Sequence, residues 1–386
     1  MKVIIAPDSF KESLGASAVA EAIARGVRRA IPGVETVKLP VADGGEGTVD
    51  ALLAATGGRK VPVPVTGPLG ESVAGFIGLL GDRQTAVIEV AAACGLQWVA
   101  PESRNPLLAT SFGVGELIRA ALDHQVSHII IGLGGSATND AGIGMLQALG
   151  ARCRNAQGEE IARGGGALNT LAAIDTRGLD PRLRHVALQV ACDVTNPLVG
   201  PRGATAVFAP QKGATPAMLA QLEANLQHVA AVISAQTGKR IADYPGAGAA
   251  GGLGAALIAL LGAHMRPGIE VILDALDFDN QLQGADLVIT GEGRIDAQTA
   301  NGKAPAGIMR RAAAQGCPCV VLAGSLGAGY EQLYTLGLTA AFSLVPGVIA
   351  YEQALREASN LLESAAYNLA ALWLLGAERQ TLPVGG

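Results

Sequence analysis

Carboxylates, hydroxyls, cationic groups and glycines gather at five places in this chain, each where a strand-like run gives way to a turn or helix. Asp8-Ser9-Phe10-Lys11 follows the apolar run 2–7 and puts a carboxylate, a hydroxyl and an ammonium within four residues. Asp43-Gly44-Gly45-Glu46-Gly47-Thr48 sets two acids among three glycines at a helix start. The run 132–144, Gly-Leu-Gly-Gly-Ser-Ala-Thr-Asn-Asp-Ala-Gly-Ile-Gly, lies between Ile129-Ile130-Ile131 and a helix-like Met145–Leu149. Asp193-Val194-Thr195-Asn196-Pro197 follows a strand-like 186–191. Finally, Thr290-Gly291-Glu292-Gly293-Arg294-Ile295-Asp296 runs on to Gly302-Lys303.

The chemistry on offer is that of anions and hard cations. A glycine turn at a helix start exposes backbone N–H groups that favour a phosphate. Gly134 and Gly135 leave room for its approach, and Ser136 and Thr138 add hydroxyl donors. Asp140, Asp193, Glu292 and Asp296 are hard oxygen donors suited to Mg²⁺. Acids at strand ends can also act as general bases. Each cluster has a plainer reading too: a tight turn with a Thr138 or Asn139 helix cap, a solvated loop, or an Asx turn.

Composition narrows the classes. Hydrophobic residues make up 49% of the 386 residues but aromatics only 3%, with 52 glycines, which suits helix–sheet packing with many tight turns. The shortage of aromatics argues against a single-strand nucleic-acid binder. A net charge of −5, without a basic block, excludes a nucleic-acid partner. Five cysteines (94, 153, 192, 317, 319) without CxxC spacing point to reduced thiols in a cytoplasmic protein rather than a disulfide frame or zinc site. An acid at position 8 precedes any signal-length apolar run, so no secretion signal is expected. Residues 246–265 lack acids, Lys and Arg, but their Gly/Ala-rich first half is too weakly hydrophobic for a membrane span.

The elements that must position these groups follow a β-α rhythm. Strand 2–7, helix 17–31, strand 34–41 and helix 48–55 open the chain. Strands near 285–290, 319–323 and 340–345, helix 305–315 and a long helix 352–375 close it. Between them, 61–65, 76–80 and 85–90 read as antiparallel strands, followed by strands 128–133 and 186–191 and helices near 216–237 and 254–263. The expected fold is α/β with two domains: a parallel-sheet domain of residues 1–62 plus 284–386, and a second, mixed α/β domain of residues 63–283 inserted into it. The Pro-Val-Pro-Val stretch at the first crossing suits a hinge or an edge strand.

Standard motifs are absent. Gly302-Lys303 is followed by Ala304, so no P-loop is present, and there are no HRD or DFG kinase elements. Gly246-Ala-Gly-Ala-Ala-Gly251 spells GxGxxG without a clear strand before it. That leaves an NAD-linked hydroxy-acid dehydrogenase as one alternative, and a non-catalytic small-acid-binding protein as another. The five histidines lie away from the clusters in sequence, and no Ser/His/acid triad emerges.

The five clusters in this order resemble the bacterial glycerate kinases of the first type. The motifs are Ala6-Pro-Asp-Ser-Phe-Lys-Glu-Ser13, Ala42-Asp-Gly-Gly-Glu-Gly-Thr48, Gly134-Gly-Ser-Ala-Thr-Asn-Asp-Ala-Gly-Ile-Gly144, Cys192-Asp-Val-Thr-Asn-Pro-Leu198 and Thr290-Gly-Glu-Gly-Arg-Ile-Asp296. The resemblance spans nearly the whole chain. It implies ATP- and Mg²⁺-dependent phosphorylation of D-glycerate, usually to 2-phosphoglycerate, with a kinase giving 3-phosphoglycerate as the alternative. It also implies a flavodoxin-like domain carrying an inserted α/β domain, with the active site in the cleft between them. On that reading Gly134, Gly135, Ser136, Thr138, Asn139 and Lys303 would hold the nucleotide, and Ser9, Glu46 and Arg294 the substrate. Asp193, Asp43, Asp8 and Lys11 would be catalytic, and Asp193, Glu292, Asp296 and Asp140 would face the metal. The expected setting is cytoplasmic, with no membrane partner and with a homodimer allowed.

Overall fold

The computed structural model describes residues 1–42, 44–45 and 47–380. The chain divides into two compact units, Met1–Asp43 with Ile272–Gly386, and Gly44–Val271. The first unit is therefore discontinuous and the second is inserted into it.

The sheet of the first unit is five-stranded and all parallel. Its spatial order is Leu338–Ser343, Cys319–Ala323, Leu287–Thr290, Lys2–Ile5, Glu35–Lys38. Counted along this unit's own chain, that order is 2-1-3-4-5 read from the Glu35–Lys38 edge, which is the flavodoxin-like winding. The central strands read KVII, LVIT and CVVLA because helices cover both faces of a parallel sheet. The winding direction reverses between Lys2–Ile5 and Leu287–Thr290. At such a reversal the loops leaving the two carboxyl ends part and open a crevice.

Helix Ala16–Ala30 packs along the long helix Tyr351–Gln380. Gly26 allows the close approach, since a Cβ there would run into the Glu363 carbonyl and lie 2.8 Å from the Ala366 Cβ. Arg25 and Arg29 both reach the Glu363 carboxylate, at 2.9 and 2.8 Å.

The second unit holds a six-stranded mixed sheet in the order His264–Arg266, Ala187–Ala191, His128–Gly132, Thr85–Glu89, Ser72–Leu79, Arg59–Thr66. The first four strands are mutually parallel and the last two add antiparallel. Pro62 and Pro64 lie on the edge strand Arg59–Thr66, opposite Phe76 and Ala74. An edge position tolerates proline because no further strand needs its missing N–H.

The unit boundaries fall at 43/44 and 271/272, where the sequence suggested 62/63 and 283/284. Packing explains both offsets. Helix Thr48–Thr56 turns Val49 and Leu53 onto Gly78 of the second sheet. At the other end, Arg311 of the first unit pairs with Asp274 and Asp279, and the Lys2 ammonium donates to the Gln281 carbonyl. Among the described residues no helix is long and apolar enough to cross a membrane.

Overpacking a tight helix crossing costs about 1–3 kcal/mol. Gly26→Ala is therefore expected to lower unfolding stability by about that much in urea titration. Gly376→Ala, with open space around its site on the same long helix, should leave stability unchanged or raise it. Equal stability for the two variants would contradict the packing read here.

Candidate functional site

The winding reversal of the first sheet brings together two of the five clusters. The Asp8 amide donates to the Gly291 carbonyl at 2.8 Å, and the Thr290 hydroxyl donates to the Ala6 carbonyl at 2.7 Å. These bonds extend the pairing of the two strands into their loops. A cavity of about 580 Å³ opens there, with Asp8, Ser9, Lys11, Glu292, Arg294 and Lys303 on its polar wall. Leu344, Val345 and Ile349 line the other side.

Glu292 is nearly buried at that wall. The Thr299 hydroxyl donates to its Oε1 at 2.8 Å, and the Lys303 ammonium lies 3.3 Å from its Oε2. Burial pushes the Glu292 carboxyl above the ordinary carboxylate range, against the pull of Thr299 and Lys303. Asp296 behaves oppositely: the Gln298 amide at 2.9 Å and the Arg294 guanidinium at 3.1 Å hold it low. Lys303 immediately precedes helix Ala304–Ala314, so its charge adds to a helix N-terminus that already favours an anion.

In the second unit, the glycine turn leaves strand His128–Gly132 beside the Asp193 loop, because the partner strand Ala187–Ala191 is parallel and in register with it. Two glycine-rich backbones meet here. A Cβ on Gly132 would strike the Gly44 carbonyl, and one on Gly134 would lie 2.9 Å from the Gly45 Cα. The amides of Gly134, Gly135 and Ser136 have no acceptor among the described residues. Three successive unpaired N–H groups on a partly exposed glycine turn are the donors an anion nest requires.

The side chains that follow turn inward. Asp140 is fully buried, and its Oδ2 accepts from the Ser111 amide (2.8 Å), the Ser111 hydroxyl (2.9 Å) and the Gly144 amide (3.3 Å). Its Oδ1 accepts from the Gly142 amide at 3.1 Å. Desolvation raises its pKa against these donors. The expectation of Asp140 as a metal ligand is thereby corrected: protein donors occupy both of its oxygens, away from solvent, and it ties the turn together. Thr138 and Asn139 are buried as well. The Asn139 amide donates to Thr205 at 3.2 Å, and its Oδ1 has no partner among the described residues.

Asp193 is exposed, and its Oδ1 accepts from the amide of Gly268 at 2.8 Å, the first residue of helix Gly268–Ala275. Asp43 and Glu46 lie outside the described residues. Among the described residues no group of three His, Cys, Asp or Glu could hold a metal ion. Mg²⁺ in a nucleotide complex needs only one or two carboxylates beside the phosphate oxygens, and Asp193, Glu292 and Asp296 are of the right type.

Sequence reasoning missed Lys212, Ser111 and Glu89. The Lys212 ammonium is buried under the glycine turn, donating to Ser136 Oγ at 3.0 Å and the Thr138 carbonyl at 2.7 Å. Glu89 accepts the Val49 amide at 2.8 Å and so caps the helix that follows Gly47. Glu89 is foreshadowed by its place at a strand end. Lys212, more than 70 residues from the turn, has no such signal.

The GxGxxG run has a structural use. The Gly251 carbonyl accepts the Ala141 amide at 3.0 Å, and a Cβ on Gly251 would collide with the Thr138 carbonyl and lie 2.6 Å from the Asn139 Cα. It backs the glycine turn and follows no strand, unlike a dinucleotide fingerprint.

The chain is similar to known proteins over nearly its whole length. The model of the glycerate kinase family matches residues 3–374. A glycerate kinase of Bacillus subtilis (strain 168) is 54% identical over 96% of this chain and 97% of its own length. A glycerate 2-kinase of Escherichia coli (strain K12) is 51% identical over 97% of this chain and 99% of its own. A crystal structure from Salmonella typhimurium LT2, assigned as glycerate kinase 2, superposes with a TM-score of 0.88 at 53% identity, covering 99% of this chain and all of that one (100%).

Two outcomes follow from the buried carboxylates. Asp140→Ala leaves several buried donors unmatched and should cost about 3 kcal/mol in urea unfolding, where a loss under about 1 kcal/mol would remove Asp140 from its tying role. Because burial raises the Glu292 pKa, the folded chain holds that proton more tightly than the unfolded chain. The stability this contributes is present below the ordinary carboxylate pKa and is lost as pH rises through the raised value. Glu292→Gln should lose less stability than the parent as pH rises above the ordinary carboxylate range, measured by urea midpoints. Parallel pH profiles would contradict the burial effect.

Proposed function

The chain belongs to the glycerate kinase family, and from that premise we propose that it transfers a phosphoryl group from ATP, with Mg²⁺, to the 2-hydroxyl of D-glycerate. The run of unpaired amides at Gly134, Gly135 and Ser136 carries the reading, because three successive backbone donors on a glycine turn suit a phosphate. The name of the Escherichia coli relative supports the 2-position over the 3-position.

Phosphoryl transfer asks a protein mainly for positioning and charge neutralisation. In this proposal the glycine turn holds nucleotide phosphates through backbone N–H groups and Ser136. Buried Thr138 and Asn139 shape the turn from behind. Lys303 neutralises charge that builds up on the transferring group. Lys11 and Arg294 pair with the glycerate carboxylate, and Ser9, with Glu46, binds its hydroxyls. Asp193 takes the proton of the attacking hydroxyl; Asp8 and Asp43 are the alternatives for that role. When bound, Mg²⁺ screens the phosphate charge, and Asp193, Glu292 and Asp296 are the carboxylates proposed to face it. The five cysteines are unpaired, which supports a cytoplasmic setting.

The test is phosphorus NMR of the product formed from D-glycerate and Mg-ATP. The 2-phosphoglycerate resonance is expected. The 3-phosphoglycerate resonance would overturn the assigned position, and absence of both would overturn the activity. Asp193→Asn should lower kcat by about 10²-fold or more while ATP binding persists, and near-normal turnover would take the base role from Asp193.

A further inference from the structure

Lys212 ends the short turn Pro210–Lys212, and the residue is 2% exposed. An ammonium only donates hydrogen bonds, so its 3.0 Å contact with Ser136 Oγ uses that oxygen as an acceptor. The Ser136 hydroxyl hydrogen is then left to donate elsewhere, and it has no acceptor among the described residues. The second bond, to the Thr138 carbonyl at 2.7 Å, polarises the next peptide and ties both flanks of the turn to one cation. Ser136 itself carries one of the unpaired amides of the nest and adjoins the exposed Gly135.

We infer that Lys212 is a positioning residue for the nucleotide: it forces the Ser136 hydroxyl to act as a donor and so completes an anion nest specific for a phosphate group. The inference rests on the reading above that the glycine turn holds the nucleotide. A cation buried here is maintained only if something repays its desolvation, and among the described residues two oxygens do so directly. The titratable groups facing it are the Cys94 thiol and the Asp140 carboxylate. Burial pulls the Lys212 ammonium down to about 8, while Cys94 and Asp140 pull the other way. Once neutral, the amine gains a lone pair and can accept the Ser136 hydroxyl, which reverses the polarity of that contact.

The experiment is steady-state kinetics on a double-mutant cycle. Lys212→Met and Ser136→Ala should each raise the KM for ATP about tenfold, with a smaller change in kcat, and the double variant should be no worse than either single. Lys212→Arg, which keeps the charge and the donors, should recover part of the loss. An unchanged KM for ATP in Lys212→Met, or a double variant showing the product of the two single losses, overturns the inference. Should Lys212→Met fail to fold, the parent protein decides. Its KM for ATP should climb above a pH of about 8, where phosphate ionisation is already complete, and Ser136→Ala should flatten that climb. A flat parent profile overturns the inference. Gly135→Ala separates the two levels of the account, since its site has a φ of +74° and a Cβ would lie 3.2 Å from the Ala91 Cβ. If Gly135→Ala raises the KM for ATP and Lys212→Met does not, only the role of Lys212 falls. If neither does, the turn does not hold the nucleotide.

Discussion

Two buried charges hold the glycine turn from within. Asp140 gathers the Ser111, Gly142 and Gly144 donors, and Lys212 gathers Ser136 and the Thr138 carbonyl. Charges removed from water must find partners or be neutralised, so each confines the backbone around it. Of the turn's polar side chains, Asp140 is fully engaged inside the protein and Thr138 and Asn139 are buried, while the Ser136 hydroxyl keeps its hydrogen. The amides of Gly134, Gly135 and Ser136 are left without an acceptor among the described residues. A segment that looks like a row of ligand-binding side chains becomes a preorganised set of N–H groups, which is how a site stabilises phosphate without reorganising for it.

Both units place their chemistry by the same rule. Parallel strands deliver their loops to one edge of the sheet, so residues distant in sequence become neighbours there. In the first unit the edge lies at the winding reversal, where the Asp8 and Gly291 loops are hydrogen-bonded to each other. In the second it gathers the glycine turn, the Asp193 loop and the Gly44-Gly45 backbone. The two edges differ in character. The first offers Lys11, Arg294 and Lys303 beside Asp8 and Glu292, a mixed-charge setting suited to a small hydroxy-acid. The second offers backbone amides over a buried cation, with the exposed Asp193 on the neighbouring loop.

Much of this was legible in the sequence, for physical reasons. The strand–turn–helix rhythm, the antiparallel run after residue 60 and the acids at strand ends all follow from local periodicity and turn chemistry. The clusters at Asp8 and Glu292 do share one cavity. The sequence could not show which way a turn's side chains point. Thr138, Asn139 and Asp140 read as nucleotide or metal contacts, yet all three are buried, with Thr205 and Ser111, far along the chain, among their partners. The unit boundary at Gly44 was hidden for a similar reason: helix Thr48–Thr56 continues the opening rhythm, but its Val49 and Leu53 pack on the second sheet. The GxGxxG spelling misled because glycine serves close backbone approach as readily as a dinucleotide.

The central claim is that the glycine turn binds nucleotide phosphates through its backbone while the cavity of the first unit takes glycerate. Hydrogen–deuterium exchange tests it most directly, with a non-hydrolysable ATP analogue plus Mg²⁺ in one sample and D-glycerate in another. The account predicts that the analogue slows exchange at the amides of 134–136, and that glycerate slows exchange at 8–11 and 291–296. Unchanged exchange at 134–136 with the analogue saturating, or protection by the analogue confined to 8–11 and 291–303, would contradict it.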